Sequence, residues 1–221
     1  FLREGTAIHD TLHPDRVIIG EFDKRSGDML EGLFSEFYDH KVPILRMNLA
    51  SAEMVKYANN CMLATKISFI NEIANVCEKI EGVDITSIVK GIALDQRIGP
   101  HFLNAGAGWG GSCFPKDVKA LIAFSKEFGH EPQILDAVVK VNQGQAEHMV
   151  ELAKGKLGAL RGKNVAVLGL SFKPDTDDMR EAPSIKIINR LLAEGAKVSA
   201  YDPKAIENAK TILGNKIKYA P

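Results

Sequence analysis

The spacing of apolar side chains divides the chain into an α/β beginning, a helical middle and an α/β end. Near the beginning, strands are predicted over 17–20 and 44–47, with an amphipathic helix between them. The apolar face of that helix is formed by Met29, Leu33, Phe34 and Phe37. Alternation of strands and helices is typical of an α/β unit with a parallel sheet.

The longest periodic segment predicts a single helix over 51–81. Apolar and small side chains recur there at steps of three and four residues, from Met54 to Ile80. Ser51 is expected to cap the start of the helix, and Gly82 is expected to end it. A helix of this length would extend about 45 Å and commonly joins two domains or forms a dimer interface. We therefore expect it at the centre of a two-fold homodimer.

The rest of the chain is helical in pattern up to about residue 160, apart from a glycine-rich stretch over 106–112. A strand over 164–168, a helix over 184–194 and a strand over 197–201 then predict the start of a doubly wound sheet. The changes of secondary-structure pattern along the chain predict three domains or parts of domains, over residues 1–50, 51–160 and 161–221.

Composition and charge exclude several classes of protein. Lys and Arg total 28 and Asp and Glu total 28, so nothing favours nucleic acid or an anionic membrane as a partner. Three cysteines without paired spacing argue against a disulfide framework and suit a reducing cytoplasm. No apolar run approaches the roughly 18 residues of a spanning helix. The first residues, FLREGTAIHD, do not resemble a signal peptide, and we expect the chain to be part of a longer protein.

The segment 110–117, GGSCFPKD, carries the strongest chemical signal. Pro115 is suited to the first residue of a helix, which places Cys113 just ahead of a helix N-terminus. A helix N-terminus and a neighbouring Lys116 both favour the thiolate form of a cysteine. Asp117 follows four residues later and could act beside the thiol. The alternative is an inert cysteine in a turn, but the combination of features favours a nucleophile.

Three other features are ambiguous when taken singly. Lys56 and Asn60 share one face of the long helix, where a solvated stripe is the ordinary interpretation. Arg97 could clamp a phosphate or form a surface ion pair. Cys61 and Cys77 fall within the long helix and are interpreted as packing residues.

The segment after the strand 164–168 lacks the G-x-G-x-x-G pattern of a dinucleotide loop. It is therefore a poor nicotinamide site, although Asp202 ends the next strand, where a ribose-binding acid could lie. Asp175, Asp177 and Asp178 lack the glycine and distal glutamate of a calcium loop, so we expect a solvated loop and no metal.

Five motifs occur together and in order: FLREGTA, Lys56-x-x-x-Asn60, DQRIG, GWGGSCFPKD and GLSFKPDTDDMREAPS. In this combination the chain resembles the UDP-glucose/GDP-mannose dehydrogenase family, and its UDP-glucose 6-dehydrogenases in particular, from Phe1 to about Asp202. The resemblance implies an α/β fold with three parts. These are the end of an N-terminal Rossmann-like NAD domain, a long central dimerisation helix with an all-α middle domain, and the start of a C-terminal Rossmann-like UDP-binding domain. It also implies that the family's NAD loop and its thioester-hydrolysing glutamate lie outside this chain, which alone is expected to be inactive.

The chemistry implied by the resemblance is an NAD-dependent, four-electron oxidation of UDP-glucose to UDP-glucuronate. Cys113 resembles the nucleophile that forms a thiohemiacetal and then a thioester. Lys56 and Asn60 resemble the residues that stabilise the oxyanion. Asp117 resembles the carboxylate that assists proton transfer through a water, and Glu4 one that contacts substrate and water.

The resemblance also implies binding residues. Those for the substrate are Phe1, Leu2, Arg97, Phe102, Leu103, Gly110, Phe172 and Lys173, with Arg97 supplied across the dimer. Those for NAD are Glu4, Lys116 and Arg180. GDP-mannose 6-dehydrogenase remains an alternative, and a dehydrogenase of UDP-N-acetylhexosamines fits the motifs less well. A third alternative is a non-catalytic, dimerising fragment that binds a nucleotide sugar.

Overall fold

The structure is a computed structural model in which residues 2–220 are described. The chain forms two compact units, of which the first ends at Asn59 and the second begins at Asn60. Each unit is considered by itself below.

The first unit is an α/β arrangement. It contains helix α1 (Ala7–Leu12), strand β1 (Val17–Glu21), helix α2 (Lys24–Phe37), strand β2 (Ile44–Asn48) and the beginning of helix α3 (Leu49–Cys77). β1 and β2 pair in parallel, as the predicted strand-helix-strand pattern requires. α1 was not predicted, because it is only six residues long and buries none of its side chains.

Local hydrogen bonds explain where α2 begins. The Asp23 carboxylate accepts from the Ser26 N–H at 2.7 Å, and the Ser26 hydroxyl accepts from the Asp23 N–H at 3.2 Å. This reciprocal pair satisfies two backbone donors at the first turn. Arg46 of β2 then forms ion pairs with three carboxylates along the unit, those of Glu21, Asp28 and Glu31.

α3 begins two residues earlier and ends four residues earlier than predicted. The expectation that Ser51 caps the helix is wrong. The Ser51 N–H donates to the side chain of Asn48 at 2.8 Å, so the capping oxygen comes from Asn48. Gly82 has φ +77° in the turn that follows the helix, which only glycine adopts without strain.

The predicted apolar stripe of α3 is only partly buried. Of the predicted positions, Cys61 lies in the interior, whereas Phe69 and Val76 remain exposed. Ala64 and Ile70, which are not part of that stripe, are also buried. The buried face instead includes the polar side chains of Asn60, Ser68 and Asn71. Those polar side chains have hydrogen-bond partners outside the helix, which hydrophobic periodicity cannot reveal.

The second unit continues with helix α4 (Ile85–Ala93), helix α5 (Phe114–Glu127) and helix α6 (Gln133–Leu157). The glycine-rich stretch lies between α4 and α5, as the sequence predicted. A small core joins α3, α5 and α6, and its buried members are Cys61, Ala64, Trp109, Val118 and Val138.

The end of the chain forms a three-stranded parallel sheet in the order β3-β4-β5. Its elements are β3 (Asn164–Leu168), α7 (Pro183–Ala193), β4 (Lys197–Tyr201), α8 (Ile206–Leu213), a 3₁₀ turn (Gly214–Lys216) and β5 (Lys218–Tyr219). The larger core lies between this sheet and its helices, with Leu170, Ile188 and Leu213 fully enclosed. The sequence predicted β3, α7 and β4 but not α8 or the two-residue β5. Within residues 2–220 no helix combines the length and apolarity needed to cross a bilayer.

Candidate active site

Cys113 lies at the start of α5, immediately before Phe114. Its carbonyl oxygen accepts from the Asp117 N–H at 2.9 Å, which closes the first helical turn. The side chain is exposed, and its sulfur lies 3.7 Å from the Ser112 hydroxyl. Pro115 is the second helical residue, one position later than predicted. The thiol is therefore accessible at a helix N-terminus, as the sequence predicted.

Asp117 belongs to this turn and is almost completely buried, with 2% of its surface exposed. One carboxylate oxygen accepts from Asn60 Nδ2 at 2.6 Å, and the other is ion-paired with Lys116. A buried carboxylate requires such partners, because the loss of hydration costs several kcal/mol. The structure thus brings together three predicted site residues from α3 and α5, of which Asn60 and Asp117 are buried and Lys116 is largely exposed.

Cys61 is close to this cluster but differs from Cys113 in chemistry. Burial, and to a smaller extent the negative charge of Asp117, raise the pKa of the Cys61 thiol to about 11. The thiol is therefore protonated at neutral pH and is a poor nucleophile. Cys77 is also buried, so both helical cysteines have the packing role that the sequence predicted.

The glycines before Cys113 are in direct contact with the segment 172–181. The Gly111 N–H donates to the Arg180 carbonyl oxygen at 2.8 Å. Gly111 has φ +83°, and a Cβ there would lie 2.7 Å from the Phe172 ring. A Cβ on Gly110 would overlap the Glu181 carbonyl oxygen. The loop 110–113, called the nucleophile loop below, therefore packs closely against the segment 172–181, which carries predicted ligand residues.

The cations of this segment have internal contacts. The Lys173 amine lies 5.5 Å from the centre of the Phe172 ring. Arg180 forms a two-pronged contact with Asp178, at 2.9 Å from Nε and 2.7 Å from a terminal nitrogen. The Arg180 hydrogen bonds lower the pKa of Asp178.

The expectation of a solvated acidic loop is wrong for Asp178. Its carboxylate is buried and is neutralised by the arginine two residues later, whereas Asp175 and Asp177 are exposed. Among the described residues no group of His, Cys, Asp and Glu side chains is arranged to hold a metal ion.

Asp202, at the end of β4, has no oxygen left for a ribose. One oxygen accepts from the N–H groups of Leu170 and Ser171, and the other from those of Lys204 and Ala205, at 2.7 to 3.1 Å. Burial alone would raise the pKa of this carboxyl, but the four backbone donors outweigh it and lower the pKa to about 2. Asp202 therefore joins two loops and is a structural residue.

Phe102 and Leu103, predicted for the sugar-nucleotide loop, differ in exposure. Phe102 has φ +63°, an uncommon value for a non-glycine residue, and its ring centre lies 6.2 Å from that of Phe114. Leu103 is buried, with 2% of its surface exposed. Arg97 extends into solvent with 89% of its side chain exposed and forms a fork with Asp95, at 3.0 and 2.6 Å.

The remaining predicted residues belong to the first unit. Leu2 and Glu4 are exposed, and Lys56 lies on α3 four residues before Asn60. Phe1 lies outside the described residues. The roles of these four residues, like those of the other predicted site residues, remain predictions.

The sequence did not reveal a group of amide side chains that hold the glycine-rich stretch. Asn71 of α3 and Asn142 and Gln145 of α6 form hydrogen bonds with its backbone. Asn and Gln at positions otherwise suited to buried apolar residues were the signal that could have found them.

Comparison with known proteins gives a consistent result along the chain. Three sequence profiles of the UDP-glucose/GDP-mannose dehydrogenase family match in order: the NAD binding domain over residues 1–38, the central domain over 50–144 and the UDP binding domain over 166–221. The chain belongs to the UDP-glucose/GDP-mannose dehydrogenase family. The fold and the family that the motifs predicted are thereby confirmed.

Individual members of the family agree with this assignment. UDP-glucose 6-dehydrogenase YwqF of Bacillus subtilis is 52% identical over 219 residues, which are 99% of this chain and 49% of that protein. A solved UDP-glucose dehydrogenase from Pyrobaculum islandicum superposes with a TM-score of 0.95 at 43% identity, over 100% of this chain and 50% of that one. A solved UDP-D-ManNAc dehydrogenase from Pyrococcus horikoshii gives 0.78 at 26% identity, over 92% and 47%. The chain spans about half the length of the curated relatives that it matches.

Proposed function

We propose that the protein to which this chain belongs oxidises UDP-glucose to UDP-glucuronate, with NAD as the electron acceptor. The observation that carries the proposal is an exposed Cys113 at the start of α5, above a buried Asp117 that is held by Asn60 and Lys116. The relatives support the choice of substrate. YwqF and the Pyrobaculum structure are described as UDP-glucose dehydrogenases at 52% and 43% identity, whereas the ManNAc enzyme is 26% identical.

Cys113 supplies the covalent chemistry. When the primary alcohol at C6 has lost a hydride and a proton, the thiolate attacks the resulting aldehyde. A sulfur–carbon bond forms, and the carbonyl electron pair moves to oxygen and takes up a proton. Loss of a second hydride and of the hydroxyl proton leaves a thioester, which water cleaves to the carboxylate and the free thiol. Covalent capture retains the reactive aldehyde and prepares it for the second oxidation.

The cluster around Asp117 supplies proton transfer and charge stabilisation. Asp117 is held in one orientation by Asn60 and Lys116, so an ordered water beside it has a fixed acceptor. The Asn60 amide carries two N–H donors, of which Asp117 takes one, and the second is the donor proposed for the oxyanion at C6. Lys56 supports the same charge, and Glu4 contacts substrate and water.

NAD supplies the acceptor for both hydrides when it is bound. The described residues do not fit a complete dinucleotide site. The loop after β3 lacks the spaced glycines of a pyrophosphate loop, and Asp202 after β4 is occupied by backbone donors. Glu4, Lys116 and Arg180 are the residues of this chain proposed to contact NAD.

The proposed substrate contacts involve residues of both units. They are formed by Phe102, Leu103, Gly110, Phe172 and Lys173, with Phe1 and Leu2 from the start of the chain. Phe172 lies against Gly111 and so places this segment next to Cys113.

We further propose that two copies associate through α3, with Arg97 reaching the partner's substrate. Met62, Phe69 and Val76 recur every seven residues on α3, and all three are exposed. An exposed apolar stripe of this period suits a helix–helix interface. Sedimentation equilibrium should give a dimer, and a monomer at micromolar concentration would contradict this.

Three free cysteines are consistent with a cytoplasmic location.

The test of the proposed reaction is an assay of the intact protein with UDP-glucose and NAD. We expect two NADH per UDP-glucuronate, measured by absorbance and by mass spectrometry of the sugar nucleotide. GDP-mannose and UDP-N-acetylmannosamine are the comparison substrates. Equal or faster turnover of either, or a stoichiometry of one NADH, would reject the proposal. Binding of UDP-glucose without turnover would favour a non-catalytic nucleotide-sugar-binding protein.

A further inference from the structure

The backbone of the glycine-rich stretch is paired with amide side chains at Trp109. The Trp109 N–H donates to Asn142 Oδ1 at 2.7 Å, and Asn142 Nδ2 donates to the Trp109 carbonyl oxygen at 2.9 Å. One side-chain amide therefore satisfies both polar backbone atoms of one loop residue. Gly108 allows this approach, because a Cβ there would lie 2.6 Å from Asn142 Oδ1.

Three residues earlier, at Gly106, two amide side chains share this task. Its N–H donates to Asn71 Oδ1 at 2.7 Å, and its carbonyl oxygen accepts from Gln145 Nε2 at 3.0 Å. Gln145 is itself oriented by Asn75 Nδ2, which donates to Gln145 Oε1 at 2.9 Å.

The side chain of Trp109 is fixed as well as its backbone. The indole N–H donates to the Ser68 hydroxyl at 3.0 Å, and that hydroxyl donates to the Val138 carbonyl oxygen at 2.9 Å. The indole also meets Phe114 edge to face, with ring centres 6.4 Å apart. Trp109 is thus held by α3 and α6 and touches the first residue of α5.

Only three residues separate this fixed tryptophan from Cys113. Of these, Gly111 donates a backbone hydrogen bond to the Arg180 carbonyl oxygen. On the other side of Cys113, α5 begins immediately. Between two fixed points the segment has little freedom, so the position of the thiol depends on where Trp109 is held. We propose that Asn142 is a positioning residue for the Cys113 thiol and acts through the Trp109 backbone. The kinetic part of this inference rests on the proposed function.

A purely structural role would also be chemically reasonable. Backbone groups in a loop that is partly buried need partners, and Asn142 supplies two of them. The two roles differ in their consequences. A structural residue affects how much protein is folded, whereas a positioning residue affects the rate constant of each folded active site and leaves ground-state binding nearly unchanged.

The experiment compares Asn142→Asp with Gln143→Glu in the intact protein. Asn142→Asp keeps the acceptor for the Trp109 N–H but places a second acceptor opposite the Trp109 carbonyl oxygen. Gln143→Glu adds the same charge at an exposed neighbour on the same helix. Trp109 is the single tryptophan of the chain, so acrylamide quenching measured on a background without other tryptophans reports on this loop.

Turnover is expressed per reactive Cys113, counted by iodoacetamide labelling and peptide mass spectrometry, because Cys61 and Cys77 are buried. For Asn142→Asp we expect the quenching constant to rise by about 2-fold and kcat per labelled thiol to fall by at least about 10-fold, as a displacement of about 1 Å can cost up to about 10²-fold. KM for UDP-glucose should stay within about 3-fold. Gln143→Glu should match the unsubstituted protein in the quenching constant, in kcat per labelled thiol and in KM.

The contrary outcomes are equally specific. Unchanged quenching, an unchanged kcat per thiol, or a raised KM with unchanged kcat would each overturn the proposal, and so would equal effects from Gln143→Glu. If Asn142→Asp does not fold, Asn142→Ala removes both hydrogen bonds without a charge and is judged by the same criteria. If neither folds, Asn142 is structural and the proposal is rejected. Failure of the proposed function is a separate result, since the unsubstituted protein would then make no UDP-glucuronate.

Discussion

Two buried aspartates in the second unit show how similar burial can serve different purposes. Asp117 lies beneath the nucleophile loop, and Asp202 lies at the end of β4. Asp117 is held by two side chains, those of Asn60 and Lys116. Asp202 is held by four backbone N–H groups from two loops.

The difference lies in what each carboxylate can do next. Backbone donors cannot move away without disrupting the loops that carry them, so Asp202 is committed to the fold. The partners of Asp117 are side chains, and a water or substrate group can replace one of them. A buried carboxylate with side-chain partners near an exposed thiol is therefore the better candidate for proton transfer.

The strongest test of the nucleophile region is Cys113→Ala in the intact protein. Formation of UDP-glucuronate should fall by about 10⁴-fold or more, because the aldehyde loses its covalent partner. Binding of UDP-glucose should remain nearly unchanged by calorimetry, since a small thiol adds little ground-state affinity. Cys61→Ala and Cys77→Ala are the controls and should retain turnover. A Cys61→Ala variant that was inactive would identify a different nucleophile.

Asp117→Asn should have the next largest effect. We expect kcat to fall by about 10²- to 10³-fold, the range for loss of a positioned acid or base. The midpoint of urea unfolding should change little, because an amide can still meet the Asn60 side chain. Steady-state kinetics and circular dichroism on one preparation would separate the two quantities. A large loss of stability with kcat preserved would show that Asp117, like Asp202, is a structural residue.

Asp202→Asn should affect stability alone. An amide cannot accept from four N–H groups in this geometry, so the free energy of unfolding should fall by about 2 kcal/mol or more. Chemical denaturation followed by circular dichroism gives this value. Glu207→Gln removes the same charge from an exposed position on α8 and should change stability little. A loss of kcat in Asp202→Asn at temperatures where the variant is fully folded would contradict the assignment.

The acid dependence of stability provides a smaller and graded test. The pKa of Asp202 is lowered to about 2 in the folded protein, below the ordinary value near 4. Its contribution is therefore complete above about pH 4 and is lost as the pH falls towards about 2. Between those values the unsubstituted protein should lose more stability than Asp202→Asn does. Parallel curves for the two proteins would show that Asp202 does not produce the effect.

Hydrophobic patterning predicted the main elements of the fold because those elements follow local rules. β1, α2, β2, α3, β3, α7 and β4 all have apolar spacing that matches their geometry. α1, α8 and β5 were missed. β5 is two residues long and pairs with β4, which lies well before it in the chain, so its existence depends on tertiary contact.

The candidate site was predictable where its residues are close in the sequence. Cys113, Lys116 and Asp117 lie within one helical turn, so their spacing indicated their proximity. The partnership of Asn60 with Asp117 spans 57 positions and is visible only in the structure. Ser51 was misassigned as a cap because the neighbouring Asn48, at the end of a strand, was not recognised as the capping side chain.

The contact between the nucleophile loop and the segment 172–181 limits how this motif can diverge among homologues. Gly106 has open space around the position of a Cβ, so an alanine there would be accommodated. At Gly110 and Gly111 the same methyl group would displace the Glu181 carbonyl oxygen or the Phe172 ring. Substitution at either glycine therefore requires a compensating change 61 to 71 positions later, so the two stretches should co-vary among homologues.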